Sequence, residues 1–91
     1  MLEFEWDPEK AESNLRKHGV SFHEAATAFG DSLSITFYDP DHSGDEDRYI
    51  TIGMSSDSRL MIVSHTDRGD NIRVISARTA SRRERKTYED G

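Results

Sequence analysis

Between residues 33 and 78 the chain offers four strand-like segments joined by connections with no helical pattern of their own. Residues 33–38 alternate apolar and polar. Residues 48–54 set Ile50, Ile52 and Met54 on one side. Residues 60–66 set Leu60 and Ile62 against Met61 and Val63. Residues 71–78 set Ile72, Val74 and Ser76 against Arg73, Ile75 and Ala77, since side chains alternate along a strand. A parallel neighbour needs a crossover of about a dozen residues or more, usually a helix. Residues 55–58 and 68–71 are tight turns, and residues 39–47 form an acidic loop with Pro40 and Gly44. Consecutive antiparallel pairing is therefore expected. The last strand is apolar on both faces, which suits a central position.

Helix signals flank this block. Phe4 and Trp6 alternate with acids as a short first strand. Asp7-Pro8-Glu9 then reads as an N-cap, a proline at the first helical position and an acid in the first turn. Ala11, Leu15 and His18 share one face of this helix, and Lys10, Asn14 and Lys17 another. Gly19 stops it. Ser21 and Glu24 form a capping box for a second helix whose stripe is Phe22, Ala25, Ala26 and Phe29. A third helix, over residues 80–89, is capped by Thr79 or Ser81 and has only Ala80 and Tyr88 to bury. The order is β-α-α-β-β-β-β-α. It implies one domain over residues 1–91, an α+β fold with a small antiparallel sheet, two N-terminal helices and one C-terminal helix.

The apolar and charged shares are both 33%. A core so small makes a permanent partner expected. There is no cysteine, which removes disulfides and thiolate metal sites. No apolar run reaches the roughly 18 residues of a membrane span and no signal peptide opens the chain, so the expected location is cytoplasmic. The net charge of −6 divides unevenly: residues 1–57 carry −9 and residues 58–91 carry +3. That balance excludes a nonspecific nucleic-acid coat. It leaves a local basic face late in the chain and an acidic face for a basic partner.

Asp39, Asp41, Ser43 and Gly44 match the opening of a calcium loop, but the twelfth position is Ile50 where a bidentate acid is needed. A solvated hairpin loop is the expectation, and no cofactor is called for. The histidines at 18, 23, 42 and 65 show no zinc spacing. His18 is open to two readings, a satisfied helix-end residue or a general base or acid. His65, at a strand end, is expected to be structural. Arg59 and Arg68 lie in turns and are expected to be solvated. Arg73 and Arg78 flank the apolar heart of the last strand, where a guanidinium needs an anion. They are candidate phosphate ligands. Alternation puts the two on opposite faces, so either a twist or bulge near Ser76 brings them together or only one of them is catalytic.

Two separated motifs carry a resemblance. Trp6-Asp7-Pro8, Lys10, Asn14, then residues 17–22 (KHGVSF), Glu24-Ala25 and Asp31 form the first. Residues 72–78 (IRVISAR), Ala80, Glu84-Arg85 and Tyr88 form the second. Together they resemble the signatures of BrnT-type toxins across nearly the whole chain. The resemblance implies the toxin half of a bacterial type II toxin–antitoxin pair, with a RelE-like ribonuclease fold. It implies an endoribonuclease that cuts RNA and stops translation. The implied partner is a BrnA-like ribbon-helix-helix antitoxin, held as a heterotetramer, through which alone operator DNA is bound. Metal-free cleavage of RNA uses the substrate's 2′-hydroxyl and needs a base, an acid and cations for the phosphorane. The expected clamps are Arg78 and Arg73, with Arg48 as a third, and His18 or Lys17 as base or acid. Trp6 is expected to pack over the sheet end rather than stack on a base. The rival readings are a binding module without enzymatic activity and a degenerate toxin kept for its antitoxin and for operon control.

Overall fold

A computed structural model describes residues 3–91. The elements run β1 (Glu3–Glu5), α1 (Pro8–His18), α2 (Phe22–Thr27) continued by a 3-10 turn (Ala28–Gly30), β2 (Ile35–Tyr38), β3 (Arg48–Met54), β4 (Leu60–Arg68), β5 (Asn71–Thr79) and α3 (Arg82–Asp90). The strands form one sheet in the order β1-β5-β4-β3-β2. Four of the strands meander antiparallel, as their short connections require. β1 departs from the expected antiparallel sheet by pairing parallel with β5, Phe4 opposite Ile72. No hairpin ties β1 to its neighbour, so turn geometry does not dictate its direction. By covering the outer edge of β5, β1 makes β5 an interior strand, while the middle strand of the five is β4 rather than the expected β5.

The sheet carries helices on both faces. On one, α1 and α2 bury Val20, Phe22, Ala25 and Ala28 against Met61, Val63, Val74 and Ala77, and Phe4, Trp6, Ala11 and Phe29 pack around them. Trp6 meets Phe22 and His23 edge-on, at ring distances of 5.9 and 4.8 Å, and so is a packing residue. On the other face, Ala80 and Tyr88 of the α3 end pack on Ile50, Ile52, Met54, Leu60 and Ile62. The Tyr88 hydroxyl donates to Asp31 at 2.5 Å, and Asp31 also accepts from the Met54 and Leu33 amides. These bonds, Tyr88 first, hold the Asp31 carboxyl below its ordinary range.

Gly19, at φ 68°, closes α1 by donating to the Leu15 carbonyl at 2.9 Å. Gly53 serves a different need: a Cβ there would lie 2.6 Å from the Ala28 carbonyl oxygen, so the strand meets the 3-10 turn backbone to backbone. Ser21 caps α2 through the Glu24 amide, but the Glu24 carboxylate does not close the expected box. It turns instead to the Arg59 guanidinium and the Ser55 hydroxyl, and the Arg59 bond holds its pKa down. Arg59, expected to be solvated, thus ties the β3–β4 turn to α2 and also donates to the Gly19 carbonyl at 3.2 Å.

His65 lies under the helices, between Phe29 and Tyr49. Its Nε2 sits 2.8 Å from the Thr51 hydroxyl, and Nδ1 has no partner among the described residues. Burial pushes its pKa below the ordinary 6.5, against a smaller opposing pull from Asp67. Folded His65 therefore stays neutral where the unfolded chain takes up a proton. Its contribution is complete above about pH 6.5 and is lost progressively as the pH falls below that value. Thermal melts at pH 7.5 and 5.5 should give the lower Tm at 5.5, with a smaller gap for His65→Gln. An equal gap in both proteins would show that His65 is not the source.

A candidate active site on the open sheet face

The face shared with α3 is only partly covered, because α3 sits over the β3–β4 end of the sheet. Beside it lies a cavity of about 360 Å³. Its floor is Ile50 of β3, Ile62 and Ser64 of β4, and Ile75 and Ser76 of β5. Cross-strand register accounts for the floor: Ser64 stands opposite Ser76 and Ile50, and Ile62 opposite Arg78. Apolar and small hydroxyl side chains leave room above the strands, and charged residues form the rim.

A bulge in β5 decides which residues reach this face. Ser64 pairs with Ser76 while His65 pairs with Val74, so Ile75 is an extra residue with no partner across the ladder. The extra residue resets the alternation. Val74 and Ala77 both point to the α1–α2 core, and Arg73, Ser76 and Arg78 share the open face. The two arginines do not converge, however. Five residues of strand separate them by roughly 15 Å. Arg73 lies beside Glu5, with Nη1 3.3 Å from its carboxylate, and does not line the cavity.

Arg78 does line it, at the end of β5. Its guanidinium grips Glu84 of α3 in a two-pronged pair, Nη1 to Oε1 at 2.7 Å and Nη2 to Oε2 at 2.8 Å. Glu84 also closes the α3 capping box by accepting from the Ser81 amide at 2.9 Å. The Arg78 bond is the main reason its pKa falls to about 2, and Glu84 in turn raises that of Arg78. The anion at this helix start is thus the chain's own carboxylate. Nη1 also donates to the Thr79 carbonyl at 3.4 Å. Of the five guanidinium N–H groups, Nε–H and one on Nη2 have no acceptor among the described residues. Those two lie side by side on one edge and make a second fork of the kind that suits a phosphate.

Arg48, at the start of β3, and His18, the last residue of α1, also stand at the rim. Lys17 is exposed on α1 and lies outside the cavity. Two further residues line it that the sequence does not mark as site residues: Asp39, weighed only as a calcium ligand, and His42, weighed only for zinc spacing. They belong to the acidic loop, expected to be a plain solvated connection. No sequence signal marks them; the fold does, by closing the loop onto Arg48. The Asp39 amide donates to the Arg48 carbonyl at 2.8 Å, and the Ser43 hydroxyl donates to the Asp39 carbonyl and accepts from the Arg48 amide.

The family model described as "Ribonuclease toxin, BrnT, of type II toxin-antitoxin system" matches residues 6–84. The chain belongs to the BrnT family. Its fold is similar to the Brucella abortus ribonuclease toxin BrnT, known from a 1.1 Å crystal structure, with 29% sequence identity and a TM-score of 0.67. The match covers 90% of this chain and 100% of that one. No curated protein matches. As a BrnT-family member, this chain is the toxin of a type II toxin–antitoxin system and has an antitoxin for partner. No helix among the described residues is long and apolar enough to cross a membrane.

Proposed function

We propose that this BrnT-family toxin is a metal-independent endoribonuclease whose cut is made in the open-face cavity. The carrying observation is the free Nε/Nη2 fork of Arg78 at a cavity that also holds Arg48 and His18. A phosphodiester seated on that fork keeps Glu84 in place, so binding does not require breaking the pair that anchors α3. Attack by the neighbouring 2′-hydroxyl adds charge to the phosphorane, and Arg78 and Arg48 are the groups that stabilise it. Arg73, further along the same face, and Lys17, outside the cavity, suit neighbouring phosphates of the same strand rather than the scissile one. Metal independence is tested directly by the chelator assay below.

The fold is read as a compact relative of the RelE ribonucleases, working in the cytoplasm. The antitoxin is read as a BrnA-like ribbon-helix-helix protein, bound as a heterotetramer and giving the complex its operator DNA affinity. The charge of −9 on residues 1–57 supports a basic partner of that kind. One observation favours the rival reading of a toxin kept only for its antitoxin: Arg78 already has an anion in Glu84. A single assay separates the two. Purified toxin incubated with RNA in excess EDTA is expected to cut it at the rate seen without chelator. Activity lost in EDTA and restored by one divalent ion contradicts metal independence. No cutting under either condition favours the binder.

A further inference from the structure

We propose that His42, held by Asp39, is the base that removes the 2′-hydroxyl proton, with His18 on the other side of the cavity as the acid. The inference rests on the ribonuclease reading above.

His42 Nδ1 lies 2.9 Å from Asp39 Oδ2. A carboxylate oxygen can only accept, so Nδ1 carries the hydrogen and the neutral ring keeps its lone pair on Nε2. Both residues line the cavity. The Asp39 side chain is only 12% exposed and fixed, whereas that of His42 is 68% exposed and open to a substrate. Asp39 is held at the β2 end by the hydrogen bond its backbone N–H donates to the Arg48 carbonyl, and Ser43 clasps the loop to the Arg48 amide. One closure therefore sets the position of the imidazole and of the Arg48 guanidinium together.

His18 reaches the same cavity from the end of α1, on the β5 side, while His42 comes from the β2–β3 loop, with β4 between them. In-line displacement places the attacking and leaving oxygens on opposite sides of phosphorus, so base and acid should come from opposite walls. The step balances without any co-reactant. The 2′-oxygen forms a bond to phosphorus as its proton passes to His42 Nε2. The bond from phosphorus to the 5′-oxygen breaks as that oxygen takes a proton from His18. The products are a 2′,3′-cyclic phosphate and a 5′-hydroxyl end. Asp39 is a positioning residue: it fixes the tautomer and aim of His42.

The test compares purified wild-type, His42→Ala and Asp39→Asn proteins on an RNA oligonucleotide in EDTA, with and without added imidazole. His42→Ala is expected to lose about 100-fold or more in kcat with little change in KM or Tm. Imidazole should restore part of that loss. Asp39→Asn should show a smaller loss of kcat that imidazole does not mend. If wild type cuts and His42→Ala cuts equally well, or loses activity that imidazole does not restore, the assignment of His42 is overturned. If wild type itself does not cut, the ribonuclease reading fails and takes this inference with it.

Discussion

Cells induced to make the Arg78→Ala protein are expected to grow as if uninduced. The substitution removes the free guanidinium fork from the cavity and leaves Arg48 as its one lining arginine among the described residues. Its structural cost is modest. The Arg78 and Glu84 side chains are 45% and 29% exposed, so solvent screening holds the pair to about 1 kcal/mol. Arg78→Lys should recover little, because a point charge cannot replace a fork. Glu84→Gln separates anchoring from catalysis. It weakens the α3 cap but leaves Arg78 in place, and it should keep most of the growth arrest. Circular dichroism and antitoxin pull-down supply the fold controls. Equal loss in Glu84→Gln and Arg78→Ala would mean that α3 anchoring, not the guanidinium, is what growth arrest requires.

Asn14→Ala is expected to cost about 3–5 kcal/mol, a large share of what a domain of this size possesses. Asn14 is 6% exposed beneath α1. Its Nδ2 donates to the Val20 carbonyl at 3.0 Å and to the Ala77 carbonyl at 2.8 Å, while Oδ1 accepts from the Ala77 amide at 3.1 Å. One amide thus serves the chain leaving α1 and both polar groups of the strand residue just before Arg78. Truncation leaves those backbone groups buried and unpaired, and the removed volume adds a cavity. Asn14→Asp should also be costly, since a carboxylate faces two carbonyls with no N–H to offer. Urea melts of the free toxin measure both. A loss under 1 kcal/mol for Asn14→Ala would show that the site relaxes or admits water.

Asn14 also marks where the sequence stops being informative. Helical spacing places Leu15 with Ala11 on the apolar face and Asn14 on a polar one. In the fold Leu15 is 51% exposed and Asn14 is buried. Backbone groups of β5 are its partners, and the Asn14–Ala77 bonds span 63 residues, beyond any local pattern. The meander was legible because short turns between alternating segments leave little choice. The parallel β1 was not, because its partner lies at the far end of the chain. The β5 bulge was visible only as a conflict: Arg73 and Arg78 differ in parity, and Ile75 resolves it by dropping out of the ladder. Arg78 could be read as special from its place at the end of an apolar strand. That Glu84 would occupy its outer prongs could have been suspected from the Ser81–Glu84 capping pattern. His42 was hidden by composition, since an acidic loop with proline and glycine looks like any solvated turn until Ser43 is seen to close it on Arg48.

In the proposed reaction the substrate's own 2′-hydroxyl is the nucleophile, at a cavity that clamps the phosphate with arginine. The most direct measurement maps the cut in one RNA oligonucleotide, then replaces the 2′-hydroxyl of the nucleotide 5′ to that cut by hydrogen. The expected result is 2′,3′-cyclic phosphate and 5′-hydroxyl ends on the first substrate and no cleavage at that position in the second. Unchanged cleavage of the deoxy-substituted strand, or 5′-phosphate ends, would contradict it and point to an attacking water instead.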